Sequence, residues 1–148
     1  MSWNELAAAS PELADFGQRR FASEVAYLAT VKKDGGPRVH PVTPIIGEGR
    51  LFLFMEPTSP KGYDLQRGSR YALHCSVADG SGGQGEFLVT GTAGLVEDPG
   101  TRSIAVKHAS YAPSDRYILF ELDIDTAFST EYDDEGTPIR HRWKSTGG

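Results

Sequence analysis

After the first two dozen residues, runs that are rich in β-branched and aromatic residues recur between turn signals, and one long run alternates hydrophobic and polar residues with a period of two; both patterns predict β-strands. The longest alternating stretch covers residues 117–132, where Phe120, Leu122 and Ile124 are separated by acidic side chains. We predict one long strand there. Asp-Gly and Gly-rich turns bound several of the other segments. These predict further strands over residues 25–31, 38–46, 50–55, 71–77, 86–96 and 138–144, with Gly91 and Gly94 marking a bulge or sharp coil.

Three segments carry helix signals instead. Within residues 1–22, Ser10-Pro11 is a favourable helix start. The residues that follow it at helical spacing, and so predict a stripe packed against a sheet, are Leu13, Phe16, Arg20 and Phe21. Shorter helices are predicted over residues 60–67 and 98–109. Six or seven antiparallel strands with such helices predict one domain over residues 1–148, a mainly β barrel with flanking helices whose first 22 residues form a helical segment.

Composition and charge narrow the classes of function. Hydrophobic residues make up 39% and charged residues 24% of the 148 residues, as in ordinary globular proteins. The net charge of −5 argues against a nucleic-acid binder. No apolar run reaches the roughly 18 residues that span a bilayer, so we predict no membrane partner. The first residues lack the features of a secretion signal and Cys75 is the single cysteine, which together predict the cytoplasm.

The surrounding sequence argues against a dinucleotide-binding loop and against a metal site. Residues 80–85 have the glycine spacing of a dinucleotide-binding loop, but that mechanism needs a helix after the loop to hold the pyrophosphate. Residues 86–90 predict a strand, so we interpret the loop as a flexible hairpin connection. The four histidines are scattered, with no Cys or His at ligand spacing, and no metal site is predicted.

One set of polar residues does indicate a ligand. Arg38 lies on one predicted strand, and residues 58–61 (Thr-Ser-Pro-Lys) follow the next. If these strands pair through the turn at residues 47–49, Arg38 lies toward the end where residues 58–61 emerge. The guanidinium fork, the Lys61 ammonium, the hydroxyls and nearby backbone N–H groups would together suit a phosphate. Spacing alone leaves open that Arg38 and Lys61 are ordinary solvated charges.

The same segments resemble the pyridoxamine 5′-phosphate oxidase-like family. The resemblance is good over residues 22–96 and looser over 117–143, and it rests on several short motifs in register. It implies a split β-barrel of the antiparallel Greek-key type, which dimerises and binds FMN in each of two clefts at the dimer interface. The motifs that carry it are residues 26–31, 34–42, 51–55, 59–61, 64–65, 70–73, 87–93 and 142–143.

Carried over position by position, the resemblance implies a set of cofactor-binding residues. Those that would hold the phosphate of FMN are Arg38, Ser59 and Lys61. Those that would border the isoalloxazine ring, largely through backbone groups, are His40, Pro41, Val42, Phe54 and Met55. Glu86 lies where related proteins often have a glutamine that reaches the flavin from the other chain, and Trp143 would close the cleft.

Departures from the family pattern limit the function that is implied. The chain lacks the C-terminal Arg-Leu-x-Pro sequence of true pyridoxamine phosphate oxidases, Thr43 replaces a lysine near the flavin, and Pro60 replaces an arginine. We therefore predict a flavin-dependent oxidoreductase with a different, unidentified substrate. His40 is the one candidate for a catalytic proton donor.

Two other functions remain open at this point. One is a reductase that uses the deazaflavin coenzyme F-420, because the long anionic tail of that molecule would also favour the end of the barrel that carries Arg38 and Lys61. The other is a flavin-binding or redox-sensing protein without turnover, consistent with the missing substrate motif and the lack of an evident acid–base pair.

Overall fold

The computed structural model describes residues 2–22 and 25–146, which form four helices and ten strands. The helices are α1 (Trp3–Ala9), α2 (Pro11–Ala22), α3 (Pro60–Gln66) and α4 (Pro99–His108). The strands are β1 (Ala26–Val31), β2 (Pro37–Val42), β3 (Ile45–Gly47), β4 (Arg50–Met55), β5 (Tyr71–Cys75), β6 (Glu86–Gly91), β7 (Ala93–Val96), β8 (Ile118–Leu122), β9 (Thr126–Tyr132) and β10 (Pro138–Lys144).

The strands form two antiparallel sheets that are joined at corners of the chain. The larger sheet has the order β10-β9-β6-β5-β1-β2, and the smaller has the order β3-β4-β8-β7. The chain passes from one sheet to the other between β2 and β3, between β4 and β5, between β6 and β7, and between β8 and β9. The two sheets therefore enclose a common core, and the prediction of a mainly β fold with flanking helices is confirmed.

The prediction of single strands over residues 38–46, 86–96 and 117–132 was wrong, because each segment turns a corner; in the second, the break falls beside Gly91, where a bulge or sharp coil was predicted. The segment 38–46 breaks at Pro44, which has no N–H to donate to a ladder. The segment 117–132 breaks at residues 123–125, where the N–H groups of Asp123 and Asp125 donate instead to Thr92 and Thr90, both at 2.8 Å. The alternation nevertheless identified the inward face correctly, since Phe120, Leu122 and Ile124 are all buried.

The segment 86–96 breaks at the same corner, and the close approach of another backbone segment to Gly91 explains why this position needs a glycine. A Cβ on Gly91 would lie 1.9 Å from the backbone oxygen of Asp123, whereas a Cβ on Gly94 would meet no atom within 4 Å. The backbone of the crossing segment cannot move aside as a side-chain tip can. Two chain segments therefore cross at a distance that only glycine allows.

We expect Gly91→Ala to lower the free energy of unfolding by about 3 kcal/mol, at the upper end of the usual cost of overpacking. Gly94→Ala is the matched control, in the adjoining strand, and should change it by less than about 1 kcal/mol. Urea unfolding followed by circular dichroism measures both. Equal stability of the two variants would mean that the segments do not cross as closely as described.

The helices α1 and α2 close one side of the barrel with aromatic side chains. The Phe87 ring of β6 lies at its centre, with ring centroids at 5.9 Å from Trp3, 6.5 Å from Phe16 and 5.1 Å from Phe21. The predicted stripe on α2 is thus confirmed. Its Arg20 donates to the backbone oxygens of Ser76 and Gly85 at the ends of the hairpin loop. None of the helices described is long and apolar enough to cross a bilayer.

Candidate functional site

One cleft on the barrel gathers most of the residues that the sequence singled out; we call it the Lys61 cleft. It has a volume of about 260 Å³. Six of its lining residues are among the ten candidates for cofactor binding, and they come from the ends of β2 and β4 and the start of α3. They are Pro41, Val42, Phe54, Met55, Ser59 and Lys61, and the others are Thr43, Glu56, Tyr111 and Tyr117.

Hydrophobic residues at the ends of β2 and β4 supply the apolar part of the lining of this cleft, and polar residues supply the rest. Val42 is 8% exposed, Phe54 8% and Met55 4%. Phe54 and Met55 belong to β4, whose last five residues are all buried. A flat, weakly polar ligand surface could pack on this wall with the loss of little hydration.

Lys61 brings a positive charge to the cleft, and no described carboxylate forms an ion pair with it. Its Nζ donates to Ser59 Oγ at 2.7 Å, and the ammonium makes no ion pair with a carboxylate among the described residues. The side chain is partly buried. Burial lowers the pKa of Lys61 below its ordinary value, because no described carboxylate compensates the lost hydration of the ammonium. An anion bound beside Nζ would remove this cost.

Two tyrosines complete the cleft, and sequence reasoning missed both. Tyr111 and Tyr117 lie in the segment that joins α4 to β8. Arg102 of α4 holds this segment in place, since its guanidinium donates to the backbone oxygens of Tyr117 (2.7 Å) and Ser114 (3.3 Å). The same guanidinium lies 5.0 Å from the centroid of the Phe54 ring. No periodicity in the sequence places a connecting segment against a particular strand end.

Two further titratable groups that line the cleft, Glu56 and Tyr111, have shifted pKa values. Glu56 forms an ion pair with Arg116, which holds the pKa of the Glu56 carboxyl below its ordinary value. Burial, with a smaller contribution from Tyr117, raises the pKa of the Tyr111 phenol. At neutral pH the cleft therefore offers a phenolic O–H donor and a carboxylate whose charge is already matched.

Arg38 lies in a neighbouring depression of about 390 Å³, which we call the Arg38 depression. Pro60 lines it, while Ser59 and Lys61 line the first cleft, so the two adjoin at the start of α3. Arg38 Nε donates to Asp64 Oδ2 at 2.7 Å. The residues that line this depression are Lys32, Lys33, Asp34, Arg38, Pro60, Tyr63, Asp64 and Arg67.

Asp64 is a buried carboxylate that holds two guanidinium groups. Its side chain is 1% exposed, and it also accepts from Thr30 Oγ1 at 2.8 Å and from Arg67 Nη2 at 2.5 Å. Burial acts to raise the pKa of Asp64, but the hydrogen bonds from Arg38, Thr30 and Arg67 together outweigh it and keep the pKa below its ordinary value. Asp64 is therefore ionised, and each arginine keeps donors that this carboxylate does not use.

The remaining candidates, His40, Glu86 and Trp143, do not line the Lys61 cleft of their own chain. His40 is partly buried on β2, opposite Leu28 of β1. Glu86 is partly buried on β6, opposite Thr130 of β9. Trp143 of β10 lines a third depression of about 580 Å³ together with Leu88 and Phe128, and the Arg142 guanidinium lies 4.8 Å from the Phe128 ring centroid.

Comparison with known proteins gives matches at the level of structure alone. No family model and no curated protein matches the sequence. A Lactobacillus delbrueckii protein provisionally assigned as a pyridoxamine 5′-phosphate oxidase superposes with a TM-score of 0.58 at 23% identity, over 74% of this chain and 87% of that one. PhzG from Burkholderia lata, in complex with tetrahydrophenazine-1-carboxylic acid, gives 0.66 at 14% identity over 98% and 88%.

A third solved structure of the same architecture is a haem-binding protein from Mycobacterium smegmatis. It superposes with a TM-score of 0.67 at 15% identity, and the match covers 87% of this chain but only 57% of that protein. At such identities the likeness shows a shared fold and leaves the ligand open. Proteins of this fold differ in what they bind, as these descriptions show.

Proposed function

We propose that this chain, which has the split-barrel fold of the pyridoxamine 5′-phosphate oxidase-like proteins, binds FMN in the Lys61 cleft and acts as a flavin-dependent oxidoreductase. The observation that carries the proposal is the partly buried Lys61 ammonium, which has a hydroxyl partner but no carboxylate partner among the described residues. A ligand with a phosphate supplies the missing negative charge.

The chemistry of the cleft fits the two ends of FMN. The apolar wall of Val42, Phe54 and Met55 suits the isoalloxazine ring, and Lys61 with Ser59 suits the phosphate. Arg38 lies across Pro60 from these two residues and is proposed as a third, more distant, phosphate contact. The fit is incomplete in one respect: about 260 Å³ is below the roughly 300–1,000 Å³ of sites that enclose a ligand.

A second copy of the chain would supply the missing wall. The outer face of β1 and β2 carries an exposed apolar patch, in which Tyr27 is 46%, Val31 47% and Val39 62% exposed. Pro41 continues this patch along β2 and also lines the Lys61 cleft, so a molecule seated on the patch would border the cleft. Glu86 and Trp143, which do not line the cleft of their own chain, are proposed to approach it from the partner chain.

In this arrangement the chain binds and orients, and the flavin supplies the hydride or electron chemistry. Lys61 and Ser59 neutralise and fix the phosphate, while Phe54 and Met55 keep water from one side of the ring. The Tyr111 O–H can donate a hydrogen bond to a ligand oxygen in the cleft. His40 remains a proposed proton donor, to be tested by the turnover of His40→Ala.

Turnover distinguishes an enzyme from a flavin-binding protein. The FMN-loaded protein is mixed anaerobically with NADH or NADPH, and the bleaching of the flavin is followed before an acceptor is added. We expect reduction by at least one donor and reoxidation by a quinone or nitroaromatic acceptor. Flavin that resists every donor yet is reduced by dithionite would assign the chain to flavin binding without turnover.

The proposed dimer is tested by introducing a charged residue into the exposed apolar patch of β1 and β2. We expect Val39→Glu to give a monomer in sedimentation velocity at micromolar concentration and to weaken FMN binding by about tenfold or more, because an unpaired charge opposes burial of the patch. Leu95→Glu is the matched control, since Leu95 is 42% exposed on the smaller sheet. A wild-type monomer that binds FMN tightly would contradict the proposal.

A further inference from the structure

We propose that His108 is a positioning residue for the Lys61 cleft: its protonated ring holds the end of α4 on the turn between β3 and β4, and loss of the proton releases the Tyr111 side of the cleft. His108 Nε2 lies 3.1 Å from Glu48 Oε2, and the two side chains are 32% and 48% exposed. Because α4 ends at His108, this contact is linked directly to the segment that carries Tyr111. Only the effect on flavin binding rests on the proposed function.

The turn between β3 and β4 is a rigid support for the His108 ring. It is a two-residue hairpin loop in which Glu48 and Gly49 both have positive φ angles, 52° and 77°, as a type I′ turn requires. From α1, the Asn4 N–H donates to the Gly49 oxygen at 2.9 Å. A Cβ on Gly47 would lie 2.3 Å from Cγ of His108. The ring therefore packs directly on the backbone of Gly47, and a side chain at that position would displace it.

The helix α4 depends on polar contacts because little of it is buried. Among its ten residues, all of them described, Ala105 alone is buried. Arg102 connects α4 to the segment before β8 through the Tyr117 oxygen. At the other end of the helix, His108 connects it to the turn between β3 and β4. Tyr111 is 39% exposed and makes no hydrogen bond among the described residues, so its position follows that of the last turn of α4.

The charge of the His108 ring determines the strength of this contact. An imidazole gains or loses its proton between about pH 5 and pH 8. The protonated ring forms an ion pair with the Glu48 carboxylate. It also interacts favourably with the negative end of the α4 dipole, because His108 is the last residue of the helix. The neutral ring loses both interactions, so the end of α4 is held less firmly as the pH rises.

The other groups around the ring are a cation, a neutralised pair and uncharged side chains. Lys107 precedes His108 on α4, and Arg50, just beyond the turn, donates to Glu121. A cavity of about 110 Å³ lies beside the ring, and α2 and residues 44–46 supply most of its lining. Its polar lining residues besides His108 are Gln18 and Ser110. The cavity is large enough for water, so the neutral ring can turn away from Gly47 and be hydrated.

Fluorine NMR of the flavin-free protein, labelled with 3-fluorotyrosine, tests the proposal between about pH 5.5 and pH 7.5. We expect the Tyr111 resonance, assigned with Tyr111→Phe, to shift over this range, and the Tyr117 resonance to shift less because Arg102 holds that residue. His108→Gln keeps a hydrogen-bond donor but does not titrate, so its Tyr111 resonance should stay constant. Gly47→Ala should hold the resonance at the high-pH position, while the control Gly94→Ala behaves as wild type.

A Tyr111 resonance that does not shift in the wild type, or that shifts equally in His108→Gln, would overturn the proposal. Because His108→Gln changes neither the turn nor a buried residue, this outcome is decisive even if Gly47→Ala fails to fold.

Riboflavin titration over the same pH range measures the consequence for the cleft, because riboflavin lacks the phosphate that itself titrates there. We expect the affinity to fall by about three- to fivefold as the pH rises, the scale of a partly exposed ion pair at a helix end. His108→Gln should abolish the fall. Constant affinity in a protein that binds riboflavin would overturn the link to the cleft. A protein that binds no flavin would contradict the proposed function, and the fluorine resonances would then decide the role of His108.

Discussion

Lys61→Ala is expected to weaken FMN binding by about tenfold to a hundredfold and to leave riboflavin binding almost unchanged. A charge-assisted hydrogen bond to the phosphate contributes about 1.5–3 kcal/mol to the binding of FMN. Riboflavin has no phosphate, so it does not form this bond and the substitution costs it nothing. The Lys61 ammonium is already partly desolvated before the ligand arrives, and Ser59 orients it. Little further hydration is therefore lost on binding. Quenching of flavin fluorescence measures both dissociation constants.

The pH dependence of FMN binding provides a second readout of the same residue. Burial lowers the pKa of Lys61 in the free protein, and a bound phosphate would raise it again. Above neutral pH, FMN affinity is therefore expected to fall as the pH rises through the free-state pKa of Lys61. Lys61→Ala should lack this fall, and the control Lys107→Ala, on the exposed end of α4, should keep it. Equal losses for FMN and riboflavin would show that Lys61 does not contact the phosphate.

Asp64→Asn is expected to lower the free energy of unfolding by about 2–3 kcal/mol and the melting temperature by about 5–10 °C. The substitution leaves Arg38 and Arg67 without the carboxylate that holds them, at a position that is 1% exposed. The loss is smaller than for a fully enclosed ion pair, because both arginines reach solvent. Thermal unfolding followed by circular dichroism measures it, with Asp134→Asn in an exposed turn as the control.

The sign of the pH dependence follows from the lowered pKa of Asp64 in the folded protein. The contribution of this carboxylate to stability is present above the pKa of an unfolded aspartate and is lost as the pH falls through the folded value. The stability difference between the wild type and Asp64→Asn should therefore be largest near neutral pH and shrink in acid. A difference that grows in acid would mean that Asp64 is protonated in the folded protein.

The sequence contained enough to predict the strands and helices, because their signals are local. The alternation around Phe120 and the start signals at Pro11 and Asp98 depend on neighbours a few residues away. The corner at residues 123–125 was missed for the opposite reason. The alternation continues through these residues, and only the crossing of a second segment at Gly91, where a bulge or sharp coil was predicted, interrupts the ladder there.

The residues of the candidate site also fall into two groups, those that the sequence predicted and those that it did not. The resemblance named the side chains that line the Lys61 cleft from β2, β4 and α3, since these lie in the best-matched part of the chain. It gave no indication of Tyr111 and Tyr117, because a connecting segment is positioned by remote contacts such as those of Arg102. It also did not predict that Asp64, 26 residues from Arg38, holds that arginine.

The most direct test of the central claim is a titration of the purified protein with FMN, followed by visible absorption and by size-exclusion chromatography. The account predicts saturation at one FMN per chain, a change in the flavin bands as the ring enters an apolar site, and elution of the flavin with a dimer. A protein that takes up no FMN, or that binds the deazaflavin coenzyme in preference to it, would contradict the account.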